Sequence, residues 1–228
     1  IAIHGTFQIL TDGGPPNRRV LEYLSSHMPF WDRNIELVIL THPQLDHYGG
    51  FLDVFPRYKI ENVMTIGLDS DSKEFEIFRT MVEEEGSKLI SSVDSRILVS
   101  GLIRLEVLWP SEDFISKSAS TADAKVLGSF ASNQDPNFFS TVYMLSFGEF
   151  DALLTGDIVP ETIDDLLATG EVRDIEYLKV PHHGSKNGLT KELLEASNPE
   201  IAVISAGKNN SYGHPHKEVL KLLEDEGT

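Results

Sequence analysis

Thr41-His42-Pro43-Gln44-Leu45-Asp46-His47-Tyr48-Gly49-Gly50 comes directly after the apolar run Glu36-Leu37-Val38-Ile39-Leu40. The run reads as a buried strand, and the residues after it as a turn into a helix from about residue 47 to 55. A strand end that meets a helix start is a rigid place to hang ligands. His42 and Gln44 are two residues apart, so in an extended turn they point the same way. Asp46 and His47 then sit at the helix N-terminus and face the same space. Gly49 and Gly50 permit close chain approach. Imidazoles and a carboxylate at this density suit a divalent cation. The plainer reading is a capped helix start, with Asp46 near the N-terminus.

Three further stretches repeat the placement. Leu153-Leu154-Thr155-Gly156-Asp157 is an apolar strand ending on a carboxylate. Val180-Pro181-His182-His183-Gly184-Ser185 closes a second strand, and Ser211-Tyr212-Gly213-His214-Pro215-His216 lies just beyond a third. Five of the 8 histidines (His42, His47, His182, His183, His214) therefore come after expected strands. The carboxyl ends of strands form the ligand crevice of α/β sheets, and structural histidines would scatter instead. The plainer reading of Asp157 is a helix cap before Pro160, and that of His182 or His183 alone is a packed loop histidine. His4, His27 and His216 read as surface or turn residues. Glu83-Glu84-Glu85 reads as a solvated helix face, and Arg18-Arg19 is too small for a binding patch.

The remaining chain supplies the scaffold. Residues 1–3 and 7–11 flank a His4-Gly5 turn and read as a hairpin. Asn17 is placed to cap a helix carrying Val20, Leu21 and Leu24 on one face. Strands are expected at 62–66, at two or three places within 88–109, and in a hairpin of 141–147 with 150–154. Helices are expected at 72–85, 160–168, 189–196 and 216–225, alternating late in the chain with strands at 175–180 and 201–205. Residues 111–138, rich in Ser, Ala, Asp and Asn, read as a mobile loop with a short helix. Strands first and α/β alternation afterwards fit helices covering a sheet or sandwich.

Composition sets the bounds. The chain of 228 residues is 40% hydrophobic and 24% charged, which suits one sizeable core and excludes a disordered tail. No apolar run is long enough to span a membrane, so no direct membrane insertion is expected of this segment. Cysteine is absent, which excludes disulfides, thiolate zinc sites and a cysteine nucleophile. The net charge is −17, so the general surface repels nucleic acid. Residues 171–228 carry 7 basic and 10 acidic side chains, which makes the C-terminal part the less hostile side to a polyanion. The chain opens on Ile1-Ala2-Ile3, a strand already under way, and reads as a piece trimmed from a longer protein.

His42-Pro43-Gln44-Leu45-Asp46-His47 resembles the HxHxDH signature of the metallo-β-lactamase superfamily. Residues Ile9-Leu10-Thr11-Asp12-Gly13-Gly14 resemble the motif that precedes it, and Leu154-Thr155-Gly156-Asp157 the motif of the metal-bridging aspartate. The trio LTGD, VPHHGS and YGHP resembles the hydrolase-like domain at the C-terminus of ComEC competence proteins and their stand-alone relatives. The resemblance runs from Ile1 to the last helix, although the opening Gly-Gln-Gly-Asp of that group is missing. It implies a single α/β domain over residues 1–228, an αββα sandwich lacking its first few residues and last strand. It also implies a bacterial source, either as a cytoplasmic stand-alone protein or as a soluble domain of a membrane-attached one.

The resemblance implies two divalent ions, Zn or Mn, or only one. His42 and Gln44 would hold the first, Asp46 and His47 the second, and Asp157 would bridge them. His182, His183 and His214 would supply the remaining ligand and a proton-transfer group. Chain order in related phosphodiesterases favours His214 for metal and the His182–His183 pair for proton transfer, without settling it. Asp46 would orient the attacking water. Asp12 is expected to bond the neighbouring metal loop. Two departures stand out. Position 44 is Gln where the superfamily has His, and the histidine expected before Asp157 is absent, with only Asn137 and Ser140 as polar residues there. The implied activity is hydrolysis of small-molecule or nucleic-acid phosphodiesters, DNA through the ComEC resemblance, with a lactone or other ester as a further substrate class. The alternative is a catalytically weakened domain that binds a nucleotide, nucleic acid or protein partner without turnover.

Overall fold

The computed structural model describes residues 1–93, 97–119 and 130–228. The chain divides into two compact units, one of residues 1–94 and 116–136, the other of residues 95–115 and 137–228.

The first unit is built on a five-stranded sheet in the order β1-β2-β3-β4-β5. β1 (Ala2–His4) and β2 (Phe7–Thr11) form the expected antiparallel hairpin. β3 (Asn34–Leu40), β4 (Lys59–Thr65) and β5 (Lys88–Ser91) then add in parallel. Parallel strands need crossovers. These are α1 (Arg19–His27), the short pair α2 (Leu45–Tyr48) and α3 (Phe51–Val54), and α4 (Lys73–Glu85). Leu10, Val38 and Val63 stand side by side in register. They are buried with Val20 and Leu24 of α1, Tyr48, Phe51 and Val54 of α2 and α3, and Phe75, Phe78 and Val82 of α4. Ser72 caps α4 by accepting from the Phe75 N–H, and Gly86 ends it at φ 72°. The N-cap of α1 is Arg18, at φ 63°, rather than the expected Asn17, which stands one residue earlier and accepts from the Arg19 N–H at 3.1 Å.

The single helix expected over 47–55 is instead α2 and α3, broken at Gly49-Gly50. The cause is a backbone interlock with Gly13-Gly14. Gly50 N–H donates to Gly14 O at 2.7 Å and Gly13 N–H to His47 O at 2.6 Å. A Cβ on Gly50 would lie 2.0 Å from Gly13 O, so only glycine lets the two loops meet.

The second unit carries a six-stranded sheet in the order β11-β10-β9-β8-β7-β6. β6 (Ile97–Ser100), β7 (Ile103–Trp109), β8 (Val142–Phe147) and β9 (Phe150–Leu154) form an antiparallel meander. The short helix α5 (Glu112–Ser118) comes after β7. After α6 (Pro160–Ala168), β10 (Tyr177–Lys179) joins in parallel. α7 (Lys191–Ser197), the parallel strand β11 (Ile201–Val203) and α8 (Lys217–Glu226) complete the unit. Met144, Leu153, Leu178 and Ala202 are neighbours in register. Ile163 and Leu166 of α6, Leu193 and Leu194 of α7, and Val219 and Leu223 of α8 pack with them.

Two sheets flanked by helices give the α/β class expected. The strands expected within 88–109 number three and are divided between the sheets, β5 in the first and β6 and β7 in the second. The stretch read as a mobile loop holds α5 and a 3-10 turn at Pro136–Phe139; its residues 120–129 lie outside the described residues. Among the described residues no helix is long and apolar enough to cross a membrane.

Candidate metal centre

In the first unit the expected ligands leave the C-terminal end of β3. Asp12, just past β2, organises them. Its carboxylate accepts from Thr41 N–H at 3.0 Å and from Thr41 Oγ1 at 2.9 Å. It also faces His47 Nδ1 at 2.8 Å. Asp12 itself sits in the left-handed region (φ 51°), with its N–H on Ile39 O at 2.9 Å. Burial alone raises its pKa, but the His47 imidazole, the Thr41 N–H and His42 outweigh burial and hold it below the ordinary carboxylate value.

An ionised Asp12 fixes both ring tautomers. His47 Nδ1–H must donate to the carboxylate, so in the neutral ring Nε2 is the atom that carries the lone pair. The one Thr41 hydroxyl hydrogen goes to Asp12, so at 3.0 Å Thr41 Oγ1 accepts from His42 Nδ1–H. His42 Nε2 therefore also carries a lone pair. The rings lie 4.0 Å apart, 0% and 2% exposed. Their ligand atoms, and those of Asp46 and His47, lie within 4.8 Å of one another. This is how a carboxylate behind a histidine prepares it for a metal. Asp12 thus takes the supporting role the sequence suggested. Asp46 is exposed in the first turn of α2. Gln44 is half-buried, and its Nε2 faces Asp135 Oδ1 at 3.5 Å, which turns the amide nitrogen toward a carboxylate.

In the second unit the expected ligands again gather past strand ends. Asp157 lies just beyond β9 and is 1% exposed. Its N–H donates to Ser140 Oγ at 2.7 Å, so Ser140 anchors the loop. Asn137 is buried beside it in sequence and accepts from Ser140 N–H. His182 and His183 come after β10 with φ 49° and 56°. Two successive non-glycine residues in that region cost about 1–3 kcal/mol each, a strain typical of functional sites. Tight packing imposes it: a Cβ on Gly188 would lie 2.8 Å from Pro181 O, and one on Gly184 2.7 Å from Pro215 Cβ.

His183 Nδ1–H donates to Ser205 O at 2.7 Å, since a carbonyl can only accept. Its Nε2 then meets Asp157 Oδ2 at 3.2 Å. Two lone pairs cannot face each other at that distance without a proton or cation between them. His182 Nδ1 is buried with no hydrogen-bond partner among the described residues. The His214 backbone is clamped at both ends by the Asn210 side chain, 2.9 Å from its N–H and 2.7 Å from its carbonyl. Its ring lies 6.0 Å from that of His182 and 6.5 Å from that of His183. Burial first, then repulsion from His216, His182 and His183, lowers its pKa against an opposing pull from Asp157, and the lowered value favours the neutral ring that a metal ligand needs. His216 serves the fold: it stands at the N-cap position of α8 and its Nδ1 accepts from Lys186 N–H at 3.0 Å. His4 and His27 are exposed, as expected.

Sequence reasoning passed over Lys179. Its Nζ lies 2.8 Å from Gly156 O and 3.6 Å from Asp157 Oδ1. The available signal was a charge inside the apolar run Tyr177–Val180, one strand over from the LTGD stretch.

In either unit, imidazoles and carboxylates past strand ends, with no thiolate, make a donor set that fits a divalent metal. Residues 1–208 match the sequence profile described as the metallo-beta-lactamase superfamily. The chain belongs to the metallo-beta-lactamase superfamily. Most members of this superfamily are metal-dependent hydrolases, and they usually bind divalent metals. Among curated relatives, the chain is 29% identical over 194 residues to ComE operon protein 3 of Bacillus subtilis, covering 84% of this chain and 22% of that protein. It is 34% identical over 87 residues to Recombination protein 2 of Haemophilus influenzae, covering 38% and 11%. The chain thus spans a minor part of each. Among solved structures, YhfI of B. subtilis, a metallo-beta-lactamase fold protein, shares the fold at a TM-score of 0.54 and 13% identity, over 96% of this chain and 83% of that one. CmlA, a diiron beta-hydroxylase from Streptomyces venezuelae, shares it at 0.51 and 15% identity, over 89% and 44%. At such identities the likeness concerns the fold alone.

Proposed function

We propose that residues 1–228 form one metallo-beta-lactamase domain that hydrolyses phosphodiesters with a divalent metal. The observation that carries the reading is the Asp12–Thr41 network, which leaves buried His42 and His47 each with an Nε2 lone pair. His42, Gln44, Asp46 and His47 from the first unit, and Asp157, His182 and His214 from the second, would hold one or two ions, Zn or Mn. A divalent ion supplies Lewis acidity toward a phosphoryl oxygen and makes water acidic enough to attack near neutral pH. The exposed Asp46 carboxylate orients the attacking water. The His182–His183 pair carries a proton toward the leaving oxygen, with His183 oriented by Ser205 O. The general charge of −17 disfavours an anionic substrate, which the metal charge offsets locally. Among phosphodiesters, the relative named Recombination protein 2 favours DNA.

A second reading rests on Gln44. An amide is a weak, neutral ligand, and its nitrogen faces Asp135. That favours a weakened centre that binds a nucleotide, nucleic acid or protein partner without turnover. Metal content by elemental analysis, with turnover of bis(p-nitrophenyl) phosphate in added Mn²⁺ or Zn²⁺, separates the two. Bound metal and turnover abolished by Asp157→Ala support the hydrolase. Metal without turnover, against phosphodiesters and carboxylic esters alike, supports the binding domain.

A further inference from the structure

Among the described residues every lysine is exposed except Lys179. Its side chain is 17% exposed, beside an Asp157 side chain that is 2% exposed. It grips three consecutive residues of the loop after β9. Its carbonyl accepts from Thr155 Oγ1 at 2.6 Å, its ammonium donates to Gly156 O at 2.8 Å, and the same ammonium pairs with Asp157 Oδ1 at 3.6 Å. The register explains the reach: Lys179 lies opposite Leu154, the last residue of β9, so its side chain stands beside the next loop. The two oxygens of Asp157 are thereby given different partners, Oδ1 to Lys179 and Oδ2 to His183 Nε2 at 3.2 Å. A carboxylate so buried needs a cation, and the chain supplies one itself.

We propose that Lys179 is a positioning residue of the metal centre. It holds Asp157 through Oδ1 and the loop through Gly156 O, so that the carboxylate would be set in place for a metal. It also adds a fixed positive charge, so the centre binds metal more weakly than its ligands alone would dictate. This rests on the reading of the site as a metal centre. An ion pair that merely stabilises the fold would not oppose metal binding, and that difference is measurable.

The test is Mn²⁺ titration by calorimetry on the full chain, comparing the unaltered protein with Lys179→Gln, Lys179→Met and Lys179→Arg. Removing a like charge beside the ligand should tighten Mn²⁺ binding about tenfold in the Gln and Met variants. Turnover of bis(p-nitrophenyl) phosphate should fall in both, because Asp157 is no longer held. Lys179→Arg keeps the charge and should stay within about twofold of the unaltered protein in affinity. Unchanged or weaker Mn²⁺ binding by Lys179→Gln overturns the proposal. If Lys179→Met fails to fold, Lys179→Gln, which retains a donor for Gly156 O, decides. If the unaltered chain takes up neither Mn²⁺ nor Zn²⁺, the metal-centre reading fails by itself. A thermal-melting cycle of Lys179→Gln with Asp157→Asn then judges the pair: losses that overlap keep Lys179 as the partner of Asp157, and additive losses remove it.

Discussion

At the scale of the residue, Asp12 determines what the histidines can do. Its charge draws the His47 Nδ1 hydrogen directly and that of His42 through Thr41 Oγ1, so in the neutral rings both Nε2 atoms carry the lone pair a metal would need. Asp12→Asn keeps the size but not the charge, so it should weaken Mn²⁺ or Zn²⁺ binding about 10–100-fold, as read by calorimetry. It should also change the acid limb of stability. The folded pKa of Asp12 lies below its unfolded value. Its contribution is therefore fully present above the unfolded value and is lost as pH falls through the folded one. Melting temperatures of chelator-treated protein from pH 6 to pH 3 should fall less steeply in Asp12→Asn than in the unaltered chain. An identical slope would mean that the network does not hold an ionised Asp12. The histidines, Asp157 and the supporting role of Asp12 were legible because each type lies just past a recognisable strand end. Lys179 was not, because a lysine within a three-residue strand ordinarily reads as a solvated side chain. Only the register with Leu154 brings it to Asp157.

At the scale of the element, burial decides the helices. Phe78 of α4 is fully buried against the rings of Tyr48, Phe51, Phe55 and Phe75, with centroids 5.7–6.0 Å away. Two of these rings belong to α2 and α3, so the core of the first unit braces the short helix that carries Asp46 and His47. Phe78→Ala should cost about 3–5 kcal/mol by urea unfolding. A loss below about 1 kcal/mol would mean the rings do not pack as described. The apolar periods placed α4, α6 and α8 to within a residue or two, since each has one buried face, with a Ser72 cap before α4 and Pro160 at the start of α6. The break at Gly49-Gly50 escaped the sequence reading because it arises from contact with Gly13 and Gly14, some 36 residues away. The division of β5 from β6 and β7 escaped it for a related reason. Apolar strand runs state that a strand is buried but not which neighbour it pairs with.

At the scale of the whole molecule, the central claim is that the histidines and carboxylates past the strand ends bind a divalent metal. A metal that binds only the folded chain must stabilise it, by about 2.7 kcal/mol when free metal is a hundredfold above its dissociation constant. The melting temperature should therefore rise with added Mn²⁺ or Zn²⁺ and return to its starting value with a chelator. The most direct measurement is bound metal per chain, by elemental analysis and calorimetry, for His47→Ala and Asp157→Ala beside the unaltered protein. The account predicts that each substitution lowers the bound metal or weakens its binding at least a hundredfold while both variants stay folded. Full, tight metal binding by Asp157→Ala would contradict it.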